Sequence, residues 1–136
     1  MRQYDLIEYL ALVVERGGSD LHLSVNAPPC MRLHGVLHAL TEEVLDAHDT
    51  RDLILNALKE NQRAKLEHEW QLDFAIQVEN IGRFRGNACY VMGHIEANFR
   101  HIPEVIPSLP DLGHGETLEQ LSRLNDGLVL VTGVSG

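Results

Sequence analysis

Apolar residues recur along this 136-residue chain with two different periods, and each change of period marks an element. Leu6, Ile7, Leu10, Val13 and Val14 return at three- and four-residue intervals, which predicts a helix over residues 2–16 with one apolar face. Gly17-Gly18 closes it, because glycine accepts the left-handed backbone of a helix end. From there the period falls to two. Leu21, Leu23 and Val25 alternate with Asp20, His22 and Ser24, a strand pattern. After a turn at 26–29, Met31 and Leu33 predict a second strand, and Val36 and Leu37, past His34-Gly35, a short third one. Asp46 or Asp49 offers a cap for a helix running through Leu58, with Leu53, Ile54, Ala57 and Leu58 inward. Residues 61–70 read as another short helix with Leu66 and Trp70 on one face. Leu72, Phe74, Ile76 and Val78 then alternate as a strand, residues 79–82 form a hairpin turn, and residues 83–92 and 95–102 complete an antiparallel set.

At Pro103 the composition changes. PEVIPSLPDLGHG carries three prolines and two glycines in thirteen residues, the mark of a linker or domain edge. A short helix over 116–124 follows, with Leu118 and Leu121 inward, then a turn into the apolar run Leu128–Val131. That run reads as a buried strand, which needs sheet neighbours these few residues do not contain. The expected plan is a mixed α/β domain over 1–102, a linker over 103–115, and the first helix and strand of a second domain over 116–136.

Composition narrows the partners. With 44% hydrophobic and 23% charged residues the chain reads as a globular protein with its own core. Its formal net charge of −9 argues against duplex nucleic acid or an anionic membrane surface as a direct partner. Glu8 and Glu15 interrupt the apolar N-terminal stretch, which excludes a signal peptide or membrane span there and leads us to expect a cytoplasmic location. Cys30 and Cys89 lack metal-ligand spacing; reduced thiols and no metal site are expected.

Two stretches carry candidate chemistry. GLVLVTGVSG runs from an apolar strand into glycines, the entry to a phosphate-cradling loop of the form G-x-x-x-x-G-K-[ST]. Gly133, Val134, Ser135 and Gly136 would begin that cradle with inward-pointing backbone N–H groups. The lysine and the magnesium-binding hydroxyl fall beyond the last residue, so the 136 residues read as a fragment without ATP hydrolysis of its own. The second stretch is GRFRGNACY, which sets Arg83 and Arg85 on one face of a strand, with Arg100 on the next strand in NFRHIP. A guanidinium donates two parallel hydrogen bonds and so suits phosphate. The same arginines also fit a solvated sheet surface paired with Glu79, Glu96 or the outward-facing Asp73. His22 reads as a hydrogen-bonded structural residue, and Glu42, Glu43 and Asp46 as a helix-start charge cluster.

Taken together, SDLHLSVNAPPCMRLHG, LDFAI, RFRGNACY, FRHIP and GLVLVTGVSG resemble, in register over nearly the whole chain, the N-terminal part of the PilT-like ATPases of type IV pilus retraction and twitching motility. The chain departs from that pattern at Gly86, where the family usually has a β-branched residue, and at Cys89-Tyr90. The resemblance implies a PAS-like N-terminal domain, with a mainly antiparallel sheet and flanking helices, linked to a RecA-like P-loop domain. It also implies ATP and Mg²⁺ as cofactors of the parent protein, none for the fragment, a homo-hexameric ring, and an inner-membrane pilus platform protein as partner. By motif position, Arg85 and Arg100, with Arg83 as a third, would approach the nucleotide phosphates as catalytic arginines when the domains close. Two alternatives stay open: a non-catalytic interaction or oligomerisation module, and an ATPase of a type II or type IV secretion or DNA-uptake system.

Overall fold

A computed structural model describes residues 4–133. They divide into two compact units that part between Pro103 and Glu104.

The first unit is a sheet with helices on one side. Helix α1, Leu6–Glu15, starts where Asp5 caps it: the Glu8 N–H donates to Asp5 Oδ1 at 2.9 Å and the Asp5 N–H to Glu8 Oε2 at 2.7 Å. That cap starts the helix four residues later than the apolar pattern predicts. Its face of Leu6, Tyr9, Leu10 and Val13 is buried, and Gly17 turns out of the helix with φ +71°. Helix α2, Ala47–Ala57, is capped by Asp46, whose Oδ1 accepts from the N–H groups of His48 and Asp49, both at 2.8 Å. Leu53, Ile54 and Leu58 are buried as expected, while Ala57 is half-buried.

Helix α3, Glu60–Glu69, buries Leu66 but not Trp70. Trp70 falls one residue past the helix in the left-handed conformation, φ 61°, and that reversal swings its indole off the Leu66 face. Trp70 is 64% exposed, and its ring lies beside that of Tyr90 with centroids 5.7 Å apart.

Six strands form one antiparallel sheet: β1 Asp20–Leu23, β2 Cys30–Leu33, β3 Val36–Ala39, β4 Gln71–Val78, β5 Gly82–Val91 and β6 His94–Ile102. Their spatial order is β3-β2-β1-β6-β5-β4, so β1 pairs with β6 across most of the sequence of this unit. Strand β1 stops at Leu23, and Val25 continues as loop. Alternation gives the sheet two unlike faces. Leu21, Phe74, Phe84, Phe99 and their neighbours face α1 and α2 and form the core. The opposite face of β1, β6, β5 and β4 carries Asp20, His22, Arg100, Asn98, Arg85, Asn87 and Asp73.

The second unit holds helix α4, Glu116–Ser122, with Leu118 and Leu121 half-buried. Leu128 to Val131 do not form the expected strand; all four are exposed, from 50% to 88%. A β-strand is stable only when its backbone is paired, and the described residues of this unit provide no partner strand. Gly133 is exposed, whereas Val134, Ser135 and Gly136 lie outside the described residues.

Candidate functional site: the polar face of the sheet

Register decides which polar residues meet. Arg85 on β5 lies directly opposite Arg100 on β6, Arg100 opposite Asp20 on β1, and Asp20 opposite Arg32 on β2. One row across the sheet therefore reads Arg85, Arg100, Asp20, Arg32. The adjacent row reads Asp73, Asn87, Asn98, His22 and Cys30. Asp73, Arg85, Asn87, Asn98 and Arg100 line a recess of about 230 Å³. Arg83 shares the face one step along β5, opposite Ile102 and outside that recess.

Arginines directly opposite one another on neighbouring strands repel. Here each is drawn toward a different carboxylate. Arg85 Nη2 lies 3.6 Å from Asp73 Oδ1, and both side chains are more than half exposed. Arg100 Nε donates to Asp20 Oδ1 at 2.8 Å, and the Asp20 side chain is only 8% exposed. The other oxygen of Asp20 accepts from Ser19 Oγ at 2.7 Å and has Arg32 Nε at 3.9 Å. Asp20 is the one buried carboxylate among the described residues. Burial alone would raise its pKa, but the hydrogen bonds from Ser19 and Arg100 and the Arg100 charge outweigh burial and hold the carboxyl below its usual range.

A folded-state pKa below the unfolded one stabilises the fold above the unfolded value, and that stability is lost as pH falls through the folded value. Asp20→Asn is therefore expected to cost about 1–2 kcal/mol at neutral pH, toward the low end for such bonds because Arg100 is exposed. The difference between wild type and variant should shrink as pH drops below about 4. Urea unfolding at a series of pH values measures this; a difference that stays constant to pH 2 would contradict it.

His22 differs from the sequence expectation. Its Nε2 is buried with no hydrogen-bond partner, and burial together with the Arg32 and Arg100 charges lowers its pKa, against the opposing pull of Asp20. His34 and His38 stand four residues apart in sequence, but they fall on a hairpin turn and on β3, so they do not share a face as they would on a helix. Among the described residues no cluster of His, Cys, Asp or Glu could hold a metal ion. Both cysteines are free thiols, and burial, with the Glu96 charge, pushes the Cys89 thiol up.

The expected partners Glu79 and Glu96 do not pair with the arginines; Asp73 and Asp20 do. Asp20, Arg32, Asn87 and Asn98 are members of the face that sequence reasoning did not select. The alternation of Asp20 and His22 against Leu21 and Leu23 marked them as a polar set, but only the β1–β6 pairing brings that set beside Arg100.

Over 97% of its length, this chain is 36% identical to the type IV pilus retraction ATPase PilT of Pseudomonas aeruginosa. The chain is a homologue of the PilT-like ATPases. It is also 35% identical, over 93% of its length, to the type IV pilus ATPase PilU of the same organism. It spans about a third of the length of these relatives, 38% of PilT and 33% of PilU. The crystal structure of the pilus retraction motor PilT with bound ADP superposes with a TM-score of 0.78 at 33% identity, covering 88% of this chain and 35% of that one. The Legionella pneumophila ATPase DotB, at 24% identity and a TM-score of 0.64, shares the fold. No family model matches the chain. Relation to PilT fits the mixed α/β architecture with its six-stranded antiparallel sheet.

Proposed function

We propose that this chain is the N-terminal portion of a hexameric, cytoplasmic ATPase of the secretion superfamily that powers type IV pilus retraction. In that reading residues 1–102 form the PAS-like domain, 103–115 the linker and 116–136 the start of the RecA-like domain. The observation that carries it is the placement of Arg85 directly opposite Arg100 on the polar face of the sheet, in a homologue of a motor solved with bound ADP. Beside the Asp73 carboxylate, the recess offers guanidinium and carboxamide donors, the chemistry of a phosphate oxygen site. The main nucleotide pocket would be the loop beginning at Gly133, Val134, Ser135 and Gly136, completed by a lysine and a hydroxyl outside these residues. Mg²⁺ would be held by groups of the completed loop and its domain. Arg85 and Arg100, with Arg83 as the outlying third, would neutralise charge that spreads over the phosphate oxygens as the γ-phosphoryl group transfers.

The motor would pull on the pilus through an inner-membrane platform protein. Among the described residues no helix is long and apolar enough to cross a membrane, so attachment would run through that partner.

ATP hydrolysis by the complete gene product, followed by phosphate release with Mg²⁺ present, tests this reading. Turnover is expected from the complete polypeptide and none from the 136 residues alone. A complete polypeptide with an inert loop, or with no lysine after Gly136, would instead favour a non-catalytic interaction module.

A further inference from the structure

The two facing arginines are held in different ways. Both side chains are about equally exposed, 69% for Arg85 and 70% for Arg100, but Arg85 reaches an exposed aspartate only at 3.6 Å, a separation too long for a hydrogen bond. Arg100 is gripped through Nε at 2.8 Å by a carboxylate that is itself buried and fixed by Ser19. Among the described residues the two terminal nitrogens of Arg100 make no hydrogen bond, so the end of the fork stays open toward an incoming anion. Asp20 thus constrains the base of the guanidinium and leaves its outer edge unused.

We propose that Asp20 is a positioning residue: it fixes Arg100 as a stationary cation on the sheet face, against which Arg85 is the movable partner. The inference rests on the phosphate-site reading above and deepens it. It reverses the simple charge expectation. Deleting a negative charge from a cationic face strengthens anion binding by Coulomb's law. If Asp20 instead pre-organises Arg100, its loss weakens binding, because the guanidinium must then be ordered at the moment of contact.

The test titrates inorganic pyrophosphate into the 136-residue chain, observed through arginine Nε–H resonances in nitrogen-15 NMR. In the wild type, Arg100 should show a separate, slowly exchanging Nε–H signal. Asp73→Asn should leave that signal in place, and Asp20→Asn should merge it with the solvent-averaged arginines. Pyrophosphate affinity is expected to fall about threefold to tenfold in D20N, the scale of one lost ordering contribution. Arg100→Lys keeps the charge and lacks the Nε–H. It should weaken binding comparably, and D20N should add little in its background. Because R100K leaves the buried carboxylate ionised, it keeps the test valid should D20N fold poorly.

Unchanged or tighter binding by D20N, or an Arg100 signal indifferent to D20N, would overturn the proposal while leaving the site reading intact. So would full wild-type affinity in R100K. A wild-type chain that takes up no pyrophosphate, or a double R85A/R100A variant that binds it as well as wild type, would remove the site reading and the proposal together.

Discussion

Arg85→Ala in the complete ATPase is expected to lower kcat about 10³-fold or more, with the KM for ATP changing less than tenfold. Ground-state nucleotide is held mainly by the loop and its magnesium, whereas the extra charge on the transferring phosphoryl group exists only as the bond breaks. A side chain that meets the phosphates only when the domains close contributes chiefly at that moment. Arg85 has the properties for this: it is exposed, weakly held by Asp73, and borders the recess. Arg100→Ala should fall in the same direction, and the double variant should lose less than the product of the single losses, because facing residues act as a unit. Arg83→Ala should do least, since Arg83 lies opposite Ile102 and outside the recess. Steady-state kinetics on the wild type and the four variants measures all of this. Equal turnover in wild type, R85A and R100A would take these arginines out of the reaction.

The largest structural effect is expected at Gly86. A Cβ placed there would come within 2.6 Å of Phe74 Cζ and within 2.9 Å of two further ring atoms. Phe74 is 7% exposed and meets Phe99 edge-on with centroids 5.8 Å apart, so its ring cannot retreat without disturbing the core. Gly86→Val should therefore destabilise the fold by about 1–3 kcal/mol, although valine is the better strand former. The ring of Phe74 occupies the room that a β-branched side chain at position 86 would take. The same valine in a Phe74→Ala background should be neutral or stabilising, giving a double-mutant coupling of about 1–3 kcal/mol by urea unfolding. Independent, additive costs at the two positions would refute this packing account.

Local periodicity made most of the first unit legible. Alternation at Leu72, Phe74 and Val78 and the three- and four-residue spacing of Leu6, Leu10 and Val13 are properties of single elements, and the elements formed where those patterns lie. What stayed hidden depended on backbone geometry at a helix end or on neighbours distant in sequence. Trp70 continued the spacing of Leu66, but a left-handed residue at the helix end turned it outward. Leu128–Val131 had the composition of a buried strand, yet composition cannot supply a partner strand. The candidate site divides in the same way. Arg83, Arg85 and Arg100 were readable as basic strand residues with fork chemistry. Their distinction from one another was not, because it arises from pairing: Asp20 reaches Arg100 across 80 residues of sequence, Asp73 reaches Arg85 across a hairpin, and Arg83 faces an isoleucine.

The central claim is geometric, and a structure of the complete protein with a non-hydrolysable ATP analogue and Mg²⁺ tests it most directly. In subunits whose two domains have closed, terminal nitrogens of Arg85 and Arg100 should lie within about 3 Å of phosphate oxygens. Guanidinium groups more than about 8 Å from every phosphate oxygen in all closed subunits, beyond a screening length at physiological salt, would contradict the account.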